Sequence, residues 1–243
     1  MIRTILFFMY FWLAVTALTP LGLLLLIFEW LHLRFISRPV MGFIVRVWAR
    51  SVIFLTGTKA VVNGLENVPK EKAIVFVSNH QGDMDFVMNL AFLPRLSGFM
   101  IKSQAAFLPF INIWIAAIGC VFLNRDSLAK GKKSIEVGVR KIKGGQALCI
   151  YPEGTRSRGV NMGPFRNGSF KLATMADATI VPITVHGAWL TWEAHKRIMP
   201  ATIQYTLHPP VPTAGLSADE RRALPDRIKA IIQSALPAED VPQ

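Results

Sequence analysis

The first 58 residues and the remainder of the chain are patterned differently. Residues 5–28 contain no charged side chain, and the stretch exceeds the ~20 apolar residues that a helix needs to cross a bilayer core. Thr19-Pro20 interrupts it near the middle. Proline withholds a helical N–H there, so the pattern fits a straight span, a kinked helix or a re-entrant hairpin. A secretory leader is the competing reading, because Arg3 precedes the run and Ala14 and Ala17 are small. The apolar character continues through Leu23, Leu24, Leu25 and Leu26, however, which argues against cleavage. Residues 40–56 are charged only at Arg46 and Arg50, four positions apart and therefore on one helical face. That spacing suits an interfacial helix beside anionic headgroups, with a helix packed on the domain as the alternative.

From residue 59 onward, short β-rich runs alternate with helical stretches. The expected strands are 60–63, 73–78, 98–101, 120–124, 147–151, 179–185 and 202–207, and helices are expected at 85–93, 110–118, 128–143 and 168–176. Such alternation predicts an α/β fold: a mixed, mostly parallel sheet flanked by helices, preceded by a hydrophobic helical segment that anchors it to a membrane. In the helix after Ser127, Ile135, Val139 and Ile142 share a side, and Gly144-Gly145 stops it. Near the C-terminus, Ser217 and Glu220 have the spacing of a capping box, and Ile228, Ile231, Ile232 and Leu236 form a packing stripe. Two parts are therefore expected, an anchor with interfacial helices at 1–58 and a catalytic domain at 59–243.

Composition adds a direction to this picture. Apolar residues make up 52% of the chain and charged residues only 17%, an excess that fits a partly lipid-embedded protein. The formal net charge of +12 calls for an anionic partner. The aromatics concentrate in the apolar N-terminal segment and do not interleave with basic residues, so nucleic acid is not expected and anionic membrane lipid is. Arg34, Arg38, Arg46 and Arg50 follow the apolar run, which places the catalytic domain on the cytoplasmic face of the membrane. Cys120 and Cys149 are isolated in apolar runs with no CxxC pair, so neither a disulfide framework nor a metal site is expected.

Three segments carry candidate chemistry. In Asn79-His-Gln-Gly-Asp-Met-Asp85, His80 emerges from the C-terminal end of a strand, where the active sites of open α/β sheets lie. Asp85 follows five residues later, placed to fold back onto one imidazole nitrogen and leave the other free to take a proton. No G-x-S-x-G is present, so the nucleophile is expected to be an alcohol supplied by the substrate. In Tyr151-Pro-Glu-Gly-Thr-Arg-Ser157, Gly154 permits a sharp turn and Arg156 is available to an anion, with Arg158, Arg166 and Lys171 adding charge nearby. Gly119-Cys-Val-Phe-Leu-Asn-Arg125 brings a second arginine, so that Arg125 and Arg156 can clamp a phosphate.

Taken in order, and with Ile180-Val-Pro-Ile183 after them, these segments resemble the blocks of the 1-acylglycerol-3-phosphate acyltransferase family of glycerolipid acyltransferases. The resemblance spans roughly residues 63–187. It implies a membrane-bound O-acyltransferase that esterifies a lysophospholipid acceptor, with His80 as base and Asp85 as its partner. It also implies acceptor binding by Lys102, Arg125, Glu153, Gly154, Thr155 and Arg156. No cofactor is implied: acyl-CoA or acyl carrier protein is the acyl donor, and 1-acyl-sn-glycerol-3-phosphate is the expected acceptor. A lysophosphatidylethanolamine or lyso-ornithine lipid is the alternative acceptor, and a non-catalytic basic membrane-surface protein is the alternative of another class. One departure stands at Ser103-Gln-Ala-Ala106, where family members often carry glutamate-leucine after the lysine.

Overall fold

The computed structural model describes residues 1–71, 73–124 and 126–237. Its centre is a sheet of β1 (Lys59–Asn63), β2 (Ile74–Ser78), β3 (Ser97–Lys102), β4 (Val121–Leu123), β5 (Ala147–Ile150), β6 (Thr179–His186), β7 (Thr202–Leu207) and β8 (Val211–Pro212). The spatial order is β1-β7-β6-β2-β5-β3-β4, with β8 beside the start of β6. All neighbours are parallel except β6–β7 and β6–β8. The mixed, mostly parallel α/β sheet and its seven expected strands are thus present. β8 was not anticipated, because a two-residue strand containing proline has no sequence period to read.

The centre of the sheet is covered on both faces, which explains why β2 is apolar up to its last residue, Ser78, and buried throughout. Ile74 and Phe76 face one core, formed with α3 (Arg34–Thr56), α4 (Met84–Phe92) and α5 (Ile111–Ile118). Val75 and Val77 face the other, formed with α6 (Leu128–Lys143), α7 (Asn167–Thr174) and α8 (Ala218–Gln233). Parallel β2, β5, β3 and β4 end together, so the segments that follow them gather at one edge of the sheet.

The N-terminal run forms α1 (Ile2–Ala17) and α2 (Thr19–Trp30), bent by 43° where they meet. Pro20 opens α2, where its missing N–H costs little, and Thr19 Oγ1 donates to Val15 O at 2.8 Å. The bend excludes a straight span. By length and composition α3 qualifies as one helix able to cross a membrane, and α1 with α2 qualifies as a bent pair. α3 nevertheless buries Met41, Val45, Ala49, Val52 and Ile53 against the domain, and Arg46 donates to Leu93 O at 2.9 Å.

Candidate active site

The chain leaves β2 through a loop fixed on both sides. Asn79 exchanges two hydrogen bonds with β6: its Nδ2 donates to Val185 O and its Oδ1 accepts from Val185 N, both at 2.8 Å. His80 follows at the sheet edge. Asp85, in the first turn of α4 and wholly buried, places Oδ2 2.7 Å from His80 Nδ1 and accepts the Gly82 N–H at 2.9 Å. Burial pushes the Asp85 carboxyl above its ordinary range, against the lowering effect of the His80 hydrogen bond. With Nδ1 engaged, Nε2 is left without a hydrogen-bond partner among the described residues. The His80 ring is also stacked on Tyr151, centroids 4.1 Å apart and planes 17° apart. Tyr151 is held in turn by Asn89, whose Nδ2 donates to Tyr151 Oη at 3.0 Å and to Asp85 O at 2.8 Å.

The segment after β5 crosses this loop. Ser157 N donates to His80 O at 2.8 Å and Arg158 N to Gln81 O at 3.1 Å. Glu153 accepts from His80 N at 2.7 Å and Gly163 N at 2.8 Å and is buried. Burial pushes its carboxyl up, while these two N–H groups pull the other way. Glu153, expected to contact the acceptor, does not line the cavity that opens over His80; its oxygens accept from backbone amides and brace the two loops. Gly154, at φ 73°, supplies the left-handed residue of the turn. Beyond it, Arg156 NH1 lies 2.5 Å from Asp83 Oδ2 and 3.3 Å from Glu193 Oε1.

A cavity of about 1450 Å³ opens over His80. One wall is apolar, with Phe11, Val15 and Leu18 from α1 and its junction, Trp48 from α3, Phe86 from α4 and Trp114 from α5. The other carries Lys102, Lys132, Arg156, Arg158, Arg166 and Lys171. His80, Lys102, Gly154, Thr155 and Arg156 thus line a single space, with Asp85 buried behind His80. Arg125 lies outside the described residues.

The Acyltransferase family model matches residues 59–186, slightly more than half of the chain. The chain belongs to the Acyltransferase family. Among relatives, the 1-acyl-sn-glycerol-3-phosphate acyltransferase of Pseudomonas aeruginosa is 31% identical over 200 residues, 77% of each chain. The probable 1-acyl-sn-glycerol-3-phosphate acyltransferase of Mycoplasma pneumoniae is 32% identical over 156 residues, 63% of this chain and 58% of the relative. The chain thus spans little more than half the length of some of the relatives it matches. The crystal structure of the 1-acyl-sn-glycerophosphate acyltransferase of Thermotoga maritima superposes with a TM-score of 0.82, covering 100% of this chain and 98% of that one at 23% identity. That likeness concerns the fold.

Within this Acyltransferase-family site, sequence reasoning missed Glu193 and the stacking role of Tyr151. Glu193 follows a short turn after β6 and is buried, with Oε1 accepting the Asp83 N–H at 2.8 Å. Its carboxylate occupies the space beside Gly82, where a Cβ would stand 2.5 Å from Oε2. The glycine in the His80 loop was a visible signal that something approaches closely there; its partner, distant in sequence, was not.

Proposed function

We propose that the protein is a membrane-bound O-acyltransferase that moves a fatty acyl group from a thioester donor, acyl-CoA or acyl carrier protein, to the free hydroxyl of 1-acyl-sn-glycerol-3-phosphate, giving phosphatidic acid. The observation that carries this reading is the His80–Asp85 pair, 2.7 Å apart, opening onto a cavity with one apolar and one cationic wall. An amphiphile with acyl chains and a phosphate matches both walls. The relatives named for this activity support the same reading.

In the reaction, Asp85 holds the tautomer in which His80 Nδ1 carries the proton and Nε2 accepts one. His80 takes the acceptor's hydroxyl proton as that oxygen attacks the thioester carbonyl. The carbon–sulfur bond breaks, and the imidazolium returns its proton to the departing thiolate. No acyl-enzyme forms. Lys102, Arg156 and the other cations of the wall hold the headgroup, and the apolar wall takes the hydrocarbon. The exposed apolar residues of α1 and α2, among them Leu6, Met9, Leu13 and Ile27, enter lipid, with the catalytic domain at the cytoplasmic surface.

The test is acyl transfer from labelled acyl-CoA or acyl carrier protein to a panel of lysolipids. Lysophosphatidate is the expected preferred acceptor, and Arg156→Ala is expected to raise its KM about tenfold or more. Preference for lysophosphatidylethanolamine or a lyso-ornithine lipid would overturn the headgroup assignment. No transfer to any acceptor would favour a non-catalytic basic membrane-surface protein.

A further inference from the structure

Asp83 stands at the N-cap position of α4, yet its side chain makes no cap hydrogen bond. An aspartate there ordinarily accepts an N–H of the first turn. Asp83 instead turns toward the cavity and pairs with Arg156, with side-chain exposures of 57% and 31%. Glu193, the second carboxylate on the same guanidinium nitrogen, is 2% exposed. Glu193 cannot leave without vacating the Asp83 N–H and the space beside Gly82. Asp83 rotates away into solvent at small cost, because an exposed ion pair is weak.

We propose that Asp83 is a specificity-determining residue. Its carboxylate occupies on Arg156 the place that an anionic headgroup takes, and the acceptor binds by displacing it while Glu193 keeps the guanidinium in position. This rests on the reading of Arg156 as a headgroup contact. A phosphate monoester carries nearly two charges near neutral pH and a phosphodiester one. A displaced carboxylate that stays nearby opposes bound charge in proportion to that charge. Asp83 therefore weakens binding of both headgroups and costs the monoester more.

The experiment is calorimetric titration of the full-length protein in neutral detergent. The probes are short-chain 1-acyl-sn-glycerol-3-phosphate and the lysophosphatidylglycerol of the same chain length. Asp83→Asn is expected to tighten the monoester about two- to fivefold and the diester less, and the gain is expected to vanish in an Arg156→Ala background. A merely structural role for Asp83 gives the opposite sign, since its loss would loosen the loop. Unchanged or weaker monoester binding overturns the proposal, as does a gain that persists without Arg156. Absence of monoester binding to the wild type overturns both this proposal and the acceptor assignment. Tightening by Asp83→Asn without acyl transfer in the wild type refutes the proposed reaction and leaves the Asp83 assignment standing, whereas transfer without tightening refutes the Asp83 assignment alone.

Discussion

Asp85, Glu153 and Glu193 each accept one backbone N–H from the loop that carries His80, those of Gly82, His80 and Asp83 respectively. A loop held by three buried acceptors keeps its histidine where the dyad needs it, and in each case burial raises the carboxyl above its ordinary range. For Glu193 the sign of the pH linkage can be worked out. The folded state holds its proton more tightly than the unfolded state, so the native protein binds more protons as pH climbs from the ordinary glutamate value of 4.5. Its contribution to stability therefore falls as pH rises through that window. Glu193→Gln removes the titration and keeps an acceptor for the Asp83 N–H. The stability of this variant relative to wild type, measured by denaturant titration, is expected to rise as pH climbs above 4.5; a flat or opposite trend would contradict the burial argument. The sequence made Asp85 visible because it lies five residues from His80, with the helix start between them fixing its direction. Glu193 was not visible, since only the return of the chain after β6 brings it under Gly82. For Glu153 the sequence marked the position but not its neighbours: the backbone amides of His80 and Gly163, whose hydrogen bonds it accepts, have no sequence signature.

At the scale of elements, periodicity was sufficient wherever an element packs on one or both faces. The runs 73–77 and 147–151 are apolar because β2 and β5 are central and parallel. The capping box at Ser217 and Glu220 was equally legible, being a local exchange: Glu220 N donates to Ser217 Oγ at 3.3 Å and Ser217 N to Glu220 Oε2 at 2.8 Å. Ser217→Ala is expected to cost about 1 kcal/mol, measured by urea unfolding, and a change below a few tenths would show that packing of Ile228 and Ile232 alone fixes α8. The N-terminal helices were less legible. Thr19-Pro20 predicts a break but not its angle, and the two arginines of residues 40–56 do not say whether the opposite face meets lipid or protein. α3 buries Met41, Val45, Ala49, Val52 and Ile53 in the same core as residues of α4.

At the scale of the molecule, the proposed membrane attachment rests on two features. The net charge of +12 provides attraction to anionic headgroups over a Debye length, about 10 Å at 0.1 M salt. The exposed apolar side chains of α1 and α2 provide insertion that salt does not screen. Vesicle co-sedimentation is therefore expected to be strongest with anionic lipid, to weaken in 1 M salt and to persist in part; complete release by salt would contradict insertion. α1 also lines the cavity with Phe11 and Val15, so the helix proposed to enter lipid also shapes the space over His80. The account as a whole turns on His80 as the base that activates the acceptor hydroxyl. The most direct measurement is phosphatidic acid formed per enzyme from labelled acyl thioester and lysophosphatidate, by wild type and by a His80→Ala variant of equal thermal stability. A fall of about 10²- to 10⁴-fold in kcat is predicted, and turnover within a few-fold of wild type would contradict it.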